Sequence, residues 1–183
     1  MGHPGVTAPS GDPDGRLLTR LRPARPEDAA LLERWRTEPG SPFEDWAGPP
    51  PPGITDVERL GPPGDGGDLV VADSGDVPIG TVSWHAVLYG PNLGSQAWDI
   101  GISLRPTVWG LGHGARAQRM LARYLFATTT AHRVQASTDV ANVGEQKALE
   151  RAGFVREGVL RGAQWRQSDW HDLVCYARLR GDV

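Results

Sequence analysis

Residues 99–114 read D-I-G-I-S-L-R-P-T-V-W-G-L-G-H-G, and no other stretch limits the fold as strongly. Residues 98–104 alternate apolar and polar side chains, the period of a strand with one buried face. Pro106 has no N–H for a sheet ladder and ends that strand. Residues 112–128 then switch to helical spacing. Ala117, Met120, Leu121, Tyr124 and Leu125 fall at i, i+3, i+4, i+7 and i+8 and predict one buried face, with Arg116, Arg119 and Arg123 mostly off it. A strand must therefore pass into a long helix through Gly110, Gly112 and Gly114, which let the main chain come close to a ligand. The first turn of the helix offers free N–H groups and the positive end of its dipole, an anion site suited to a phosphate or pyrophosphate. Arg105 and Arg116 stand near enough in sequence to add charge.

The flanking segments predict an α/β domain. Residues 16–22 read as a first strand. Pro26, Glu27 and Asp28 open a helix with a proline and two acids in its first turn, Leu31, Leu32 and Trp35 continue it, and Pro39 ends it. Residues 39–68 are dense in Pro and Gly, including Pro49-Pro50-Pro51-Pro52, with room for one short helix at 54–60. They read as an ordered loop on the substrate side of a site, since loops this long are uncommon and often functional. Strands are predicted at 69–71 and 79–84, joined by a turn at Ser74-Gly75-Asp76, and at 134–138, 154–159 and 173–179. A short helix at 142–152 closes on Gly153 as a cap. The expected architecture is a mixed central sheet of about seven strands with helices on both faces.

Composition narrows the function. The 183 residues are 39% hydrophobic, which suits one compact domain over residues 16–183. Residues 1–15 are rich in Gly, Pro, Ser and Asp and read as a disordered tail. No run of about 18 apolar residues is present to span a membrane. Cys175 is the only cysteine, so neither an internal disulfide nor a cysteine metal site is expected, and a cytoplasmic setting follows simply. The net charge of −3, without a run of Lys or Arg, weighs against nucleic acid and fits a cationic substrate.

Three phosphate-binding readings meet at the glycine turn. A Walker loop requires Gly-Lys-Ser/Thr, which is absent. Gly110, Gly112 and Ala115 fit G-x-G-x-x-A, with Asp139 after the next strand as a ribose acid, but too little chain follows to complete a doubly wound nucleotide domain. The third reading is a resemblance. Arg105-Pro106-x-x-Trp109-Gly110-x-Gly112-x-Gly114 resembles the acetyl-CoA loop of the GNAT N-acetyltransferase superfamily, closest to the branch that acetylates ribosomal-protein N-termini. Trp109 stands where the superfamily's Gln or Arg would be. A second run, Asn142-x-x-Glu145-x-x-Ala148-Leu149-Glu150-Arg151-Ala152-Gly153-Phe154, is similar to the family's N-x-x-S-x-x-x-L-E-K-x-G-F. The likeness covers roughly residues 18–179.

The resemblance implies a sheet splayed in the middle and direct transfer of an acetyl group from acetyl-CoA to an amine, with no metal. Ile102, Ser103 and Leu104 would pair with the pantetheine arm, and an N–H near Ile102 or Ser103 would hold the oxyanion. Arg105, Trp109, Gly110, Leu111, Gly112, His113, Gly114 and Ala115 would hold the pyrophosphate, His113 presenting an exposed imidazole, and Asn142 would bind the cofactor arm. Asp99 is the expected base, acting through water, with Asp172 a weaker candidate. Many relatives carry a Tyr acid where this chain has Leu149, and this branch can use the Ser of N-x-x-S, where Glu145 stands. A glutamate could donate only if burial raised its pKa. Ser103, Glu145 and Asp99 are therefore the catalytic candidates, and Trp46 and His85 the substrate-facing ones. Cys175 is expected to be a small buried residue. The acceptor would be a protein N-terminus or a small-molecule amine, and the assembly a monomer or homodimer. A non-catalytic acyl-CoA sensor, or an enzyme for another donor such as succinyl-CoA, are the alternatives.

Overall fold

In the computed structural model, which describes residues 18–37, 40–45 and 66–182, seven strands make one mixed sheet. They are β1 (Arg20–Arg22), β2 (Gly66–Ala72), β3 (Pro78–Leu88), β4 (Gln96–Leu104), β5 (Arg133–Asp139), β6 (Val155–Arg166) and β7 (Asp169–Leu179). Their spatial order is β1-β2-β3-β4-β5-β7-β6. Helices α1 (Ala29–Thr37), α2 (His113–Thr128) and α3 (Val143–Ala152) complete the described elements, with short 3-10 turns such as Pro26–Asp28 and Pro42–Glu44. The expected seven strands are all present.

Alternation along the strands decides which face each residue takes. Ile100 is buried in the core, and Ile102 and Leu104 pack against it beside Leu121 and Leu125 of α2 and Leu149 of α3. Asp99, Gly101 and Ser103 therefore point to the other face. On that side Trp35 of α1 borders a small recess with Gly80 and Ser103. Leu121, Leu125 and Leu149 are fully removed from water, each contributing about 1.5–3 kcal/mol by burial.

The buried stripe of α2 differs from the expected one. Ala117, Leu121 and Leu125 are buried, but Met120 is 38% and Tyr124 45% exposed, while Gln118, Ala122 and Phe126 are inside. The helix is rotated by about one position because Phe126 joins the core and the larger Tyr124 settles at its edge, ring to ring with Trp84 at 5.9 Å. Strand β2 starts three residues before the expected point, and β6 and β7 form a hairpin much longer than predicted. Gln167 and Ser168, at φ 51° and 64°, turn that hairpin without a glycine.

One joint in the sheet positions everything that follows. β4 and β5 are parallel, whereas every other neighbouring pair is antiparallel. They pair only at Ala97 with Arg133, Trp98 with Val134 and Asp99 with Gln135. Beyond Asp99 the two strands part.

Candidate active site

A cavity of about 540 Å³ fills the gap between the parted strands and reaches both faces of the sheet. Ile100, Gly101, Ile102 and Leu104 form one wall, and Ala136, Ser137, Thr138 and Asp139 the other. Because β5 has left, alternate N–H and C=O groups on that edge of β4 have no strand partner. An extended ligand arm can take the place of the missing strand.

Gly110, Gly112, Gly114 and Ala115 line the cavity at the start of α2. Gly110 and Gly112 have φ of 75° and 90°, the left-handed region that side chains with a Cβ rarely adopt. A Cβ on Gly110 would meet nothing within 4 Å, so the main chain there faces open space. Gly112 caps α2 without a side-chain hydrogen bond to its first-turn amides. Those N–H groups thus remain available to an anion, and the turn fits a diphosphate. Trp109 donates from Nε1 to the Leu104 carbonyl at 2.8 Å and ties the turn to the end of β4. Its ring is 47% exposed, as is much of Leu111. Arg105 stacks over Trp35 at 5.5 Å.

His113 departs from expectation. Its imidazole is buried rather than exposed, and Nδ1 lies 3.0 Å from Oγ1 of Thr19. It fastens the start of α2 to the chain leading into β1. Burial lowers its pKa, which favours the neutral ring.

The first turn of α3 supplies the next group. Asn142 caps the helix, its Oδ1 accepting from the Glu145 N–H at 3.2 Å, and both residues line the cavity. Burial raises the Glu145 carboxyl from 4.5 to about 7; a Gln118 hydrogen bond opposes the rise and the charge of Glu44 adds to it. Leu149, in the position of the missing tyrosine, is fully buried in the core.

Glu44 is a site residue that the sequence reading missed. Ser41 caps the turn Pro42–Glu44 by accepting from the Phe43 N–H, and all four residues line the cavity. Glu44 Oε2 accepts from Ser103 Oγ at 3.2 Å, which brings a carboxylate to the edge of β4. Burial raises its pKa, partly offset by that bond. The only sequence signal was local, a Ser-Pro-x-Glu capping pattern. Arg166, only 3% exposed, holds this turn in place. Its Nη1 donates to the Pro42 carbonyl at 2.9 Å, its guanidinium lies 5.4 Å from the Phe43 ring centre, and Nη2 pairs with Asp139. His171 Nδ1 adds a contact at 3.0 Å. Asp139, the acid of the dinucleotide reading, is thus committed to a buried ion pair.

Asp99 sits at the vertex where the strands part, one residue short of the cavity wall. Gln135 Nε2 donates to its Oδ2 at 2.8 Å. Burial raises its pKa, opposed by the Gln135 bond and by the charges of His85 and Arg133. His85 lies within β3, directly across from Asp99, and does not line the cavity. Asp172 is occupied at the hairpin, accepting from the Gly162 N–H at 2.7 Å. Cys175 is half-buried, with its sulfur 3.4 Å from Ser137 Oγ. Trp46, the region 54–60 and residues 1–15 lie outside the described residues. Among the described residues no cluster could hold a metal, and no helix is long and apolar enough to cross a membrane.

Residues 19–155 match the family described as Acetyltransferase (GNAT) domain. A relative from Bacillus subtilis, named Probable N-acetyltransferase YjcK, is 33% identical over 109 residues, 60% of this chain and 59% of that protein. The match thus spans less than two thirds of the relative's length. The solved structure of ribosomal-protein-S5-alanine acetyltransferase from Vibrio fischeri has a TM-score of 0.56 at 27% identity, covering 63% of this chain and 62% of that one. Mycobacterium smegmatis RimJ in complex with CoA-disulfide shares the fold, with a TM-score of 0.70 at 21% identity over 90% of this chain and 83% of that one.

Proposed function

This chain belongs to the GNAT acetyltransferase family, and we propose that it moves an acetyl group from acetyl-CoA directly to a primary amine while both are bound. The observation that carries this reading is the parting of β4 from β5, which opens a cavity running from the glycine turn to the turn Pro42–Glu44.

In this reading the main chain of Ile102, Ser103 and Leu104 pairs with the donor's pantetheine arm and holds the developing oxyanion. Arg105, Trp109 and the amides of residues 110–115 take the diphosphate. Asn142, its Oδ1 spent on the helix cap, keeps its NH2 for the same arm. Burial raises the Glu145 carboxyl to about 7, so near neutral pH about half of the molecules carry a proton there that can pass to the departing sulfur. Asp99 takes a proton from the amine through water from its place at the vertex. His85 and Trp46 remain acceptor-side proposals. The acceptor is a protein N-terminal amine or a small amine; the likeness to the Vibrio fischeri enzyme supports the former. A cytoplasmic setting and a monomer or homodimer complete the proposal.

Release of free CoA thiol, measured against a panel of peptide N-termini and alkylamines, tests it. At least one acceptor should gain an acetyl mass in step with CoA. Tight acetyl-CoA binding without turnover on any amine would make the chain a sensor instead.

A further inference from the structure

Resting on that acetyl-transfer reading, we infer that Glu44 selects the acceptor: its carboxylate seats the cationic amine as it enters the cavity, and the Arg166–Asp139 pair positions it to do so. Glu44 lines the cavity from the turn Pro42–Glu44, one hydroxyl group from the strand edge that receives the donor. Its charge has no cationic partner among the described residues. Arg166, the buried cation behind its turn, is already paired with Asp139, and Lys147 and Arg151 line the cavity from α3. A half-buried carboxylate without a partner costs free energy that an entering ammonium recovers. Neutral or anionic acceptors recover none of it. Burial raises the carboxyl's pKa, the response expected of a charge awaiting a counter-ion.

The support behind Glu44 is stiff. Arg166 grips the carbonyl of Pro42 and the face of Phe43 at once, and its own charge is met by Asp139. The turn therefore cannot drift from β5 and β6 without losing both contacts to an arginine that the ion pair holds in place. Arg166 is a positioning residue and touches no substrate.

The test compares two acceptor types in wild type, Glu44→Gln and Glu44→Asp. One is an alkylamine, cationic at neutral pH, and the other an alkoxyamine, neutral there. Glu44→Gln should lower kcat/KM for the alkylamine about tenfold or more, chiefly through KM, and for the alkoxyamine less than about threefold. Glu44→Asp should recover part of the loss, and acetyl-CoA affinity by calorimetry should not change. An equal loss for both acceptors, or none for either, overturns the inference while leaving acetyl transfer intact. A wild type that acetylates no amine removes the transfer reading, and this inference with it.

Discussion

Replacing Glu145 with Gln tests the electrostatics of the cavity without any substrate. In the folded chain burial lifts this carboxyl from 4.5 to about 7, with Glu44 adding to the rise. The folded state therefore binds the proton more tightly than the unfolded state, a difference worth about 3 kcal/mol at ~1.4 kcal/mol per pH unit. The sign follows directly. Below pH 4.5 both states are protonated and nothing is lost. As pH rises toward about 7 the unfolded chain gives up its proton first, and folding stability declines across that window. Above it the full penalty remains. Glutamine keeps the shape and cannot ionise, so Glu145→Gln should lack this decline. Denaturant melts of both proteins across the window give the difference at each pH, which should change by about 3 kcal/mol in favour of the variant. Adding Glu44→Gln to wild type should shrink the change, since one cause of the shift is gone. A wild-type-minus-variant difference that stays flat with pH would refute both the burial argument and the proton held for the leaving sulfur.

Gly112→Glu should abolish acetyl-CoA binding in calorimetry while the circular dichroism of the fold persists, because a side chain there blocks the first-turn amides; its φ of 90° adds about 1–2 kcal/mol of backbone strain. Asp99→Asn should lower kcat at neutral pH with partial recovery at higher pH, and an unchanged profile would pass the base role to another group. Arg166→Met leaves the buried Asp139 with only His171 and the Ala141 N–H beside its carboxylate and should cost up to about 3–5 kcal/mol, read as a lower melting point; adding Asp139→Asn should return part of it.

The glycine turn was legible because its signals are local: an alternating strand, a proline stop, glycines at the required φ and a long apolar stripe all lie within consecutive residues. Gly153 was readable as a cap for the same reason. What was hidden depends on distance along the chain. Ser103 and Glu44 are separated by 59 residues, and nothing near either one names the other. The burial of His113 likewise rests on Thr19, 94 residues away. The length of β6 escaped notice because most of its side chains face water, which leaves no hydrophobic period, and because Gly158 and Gly162 look like interruptions. The face of α2 shifted because a stripe assigned by spacing alone cannot tell whether Tyr124 or Phe126 wins the interior.

A passage that pierces a sheet has two doors. If the nucleotide end of the donor enters past the loop at Gly110 and the nitrogen nucleophile past Pro42, both reactants can be held at once. Double-reciprocal plots against the two reactants should then intersect rather than run parallel, and the finished amide can depart while spent thiol is still lodged on the far side.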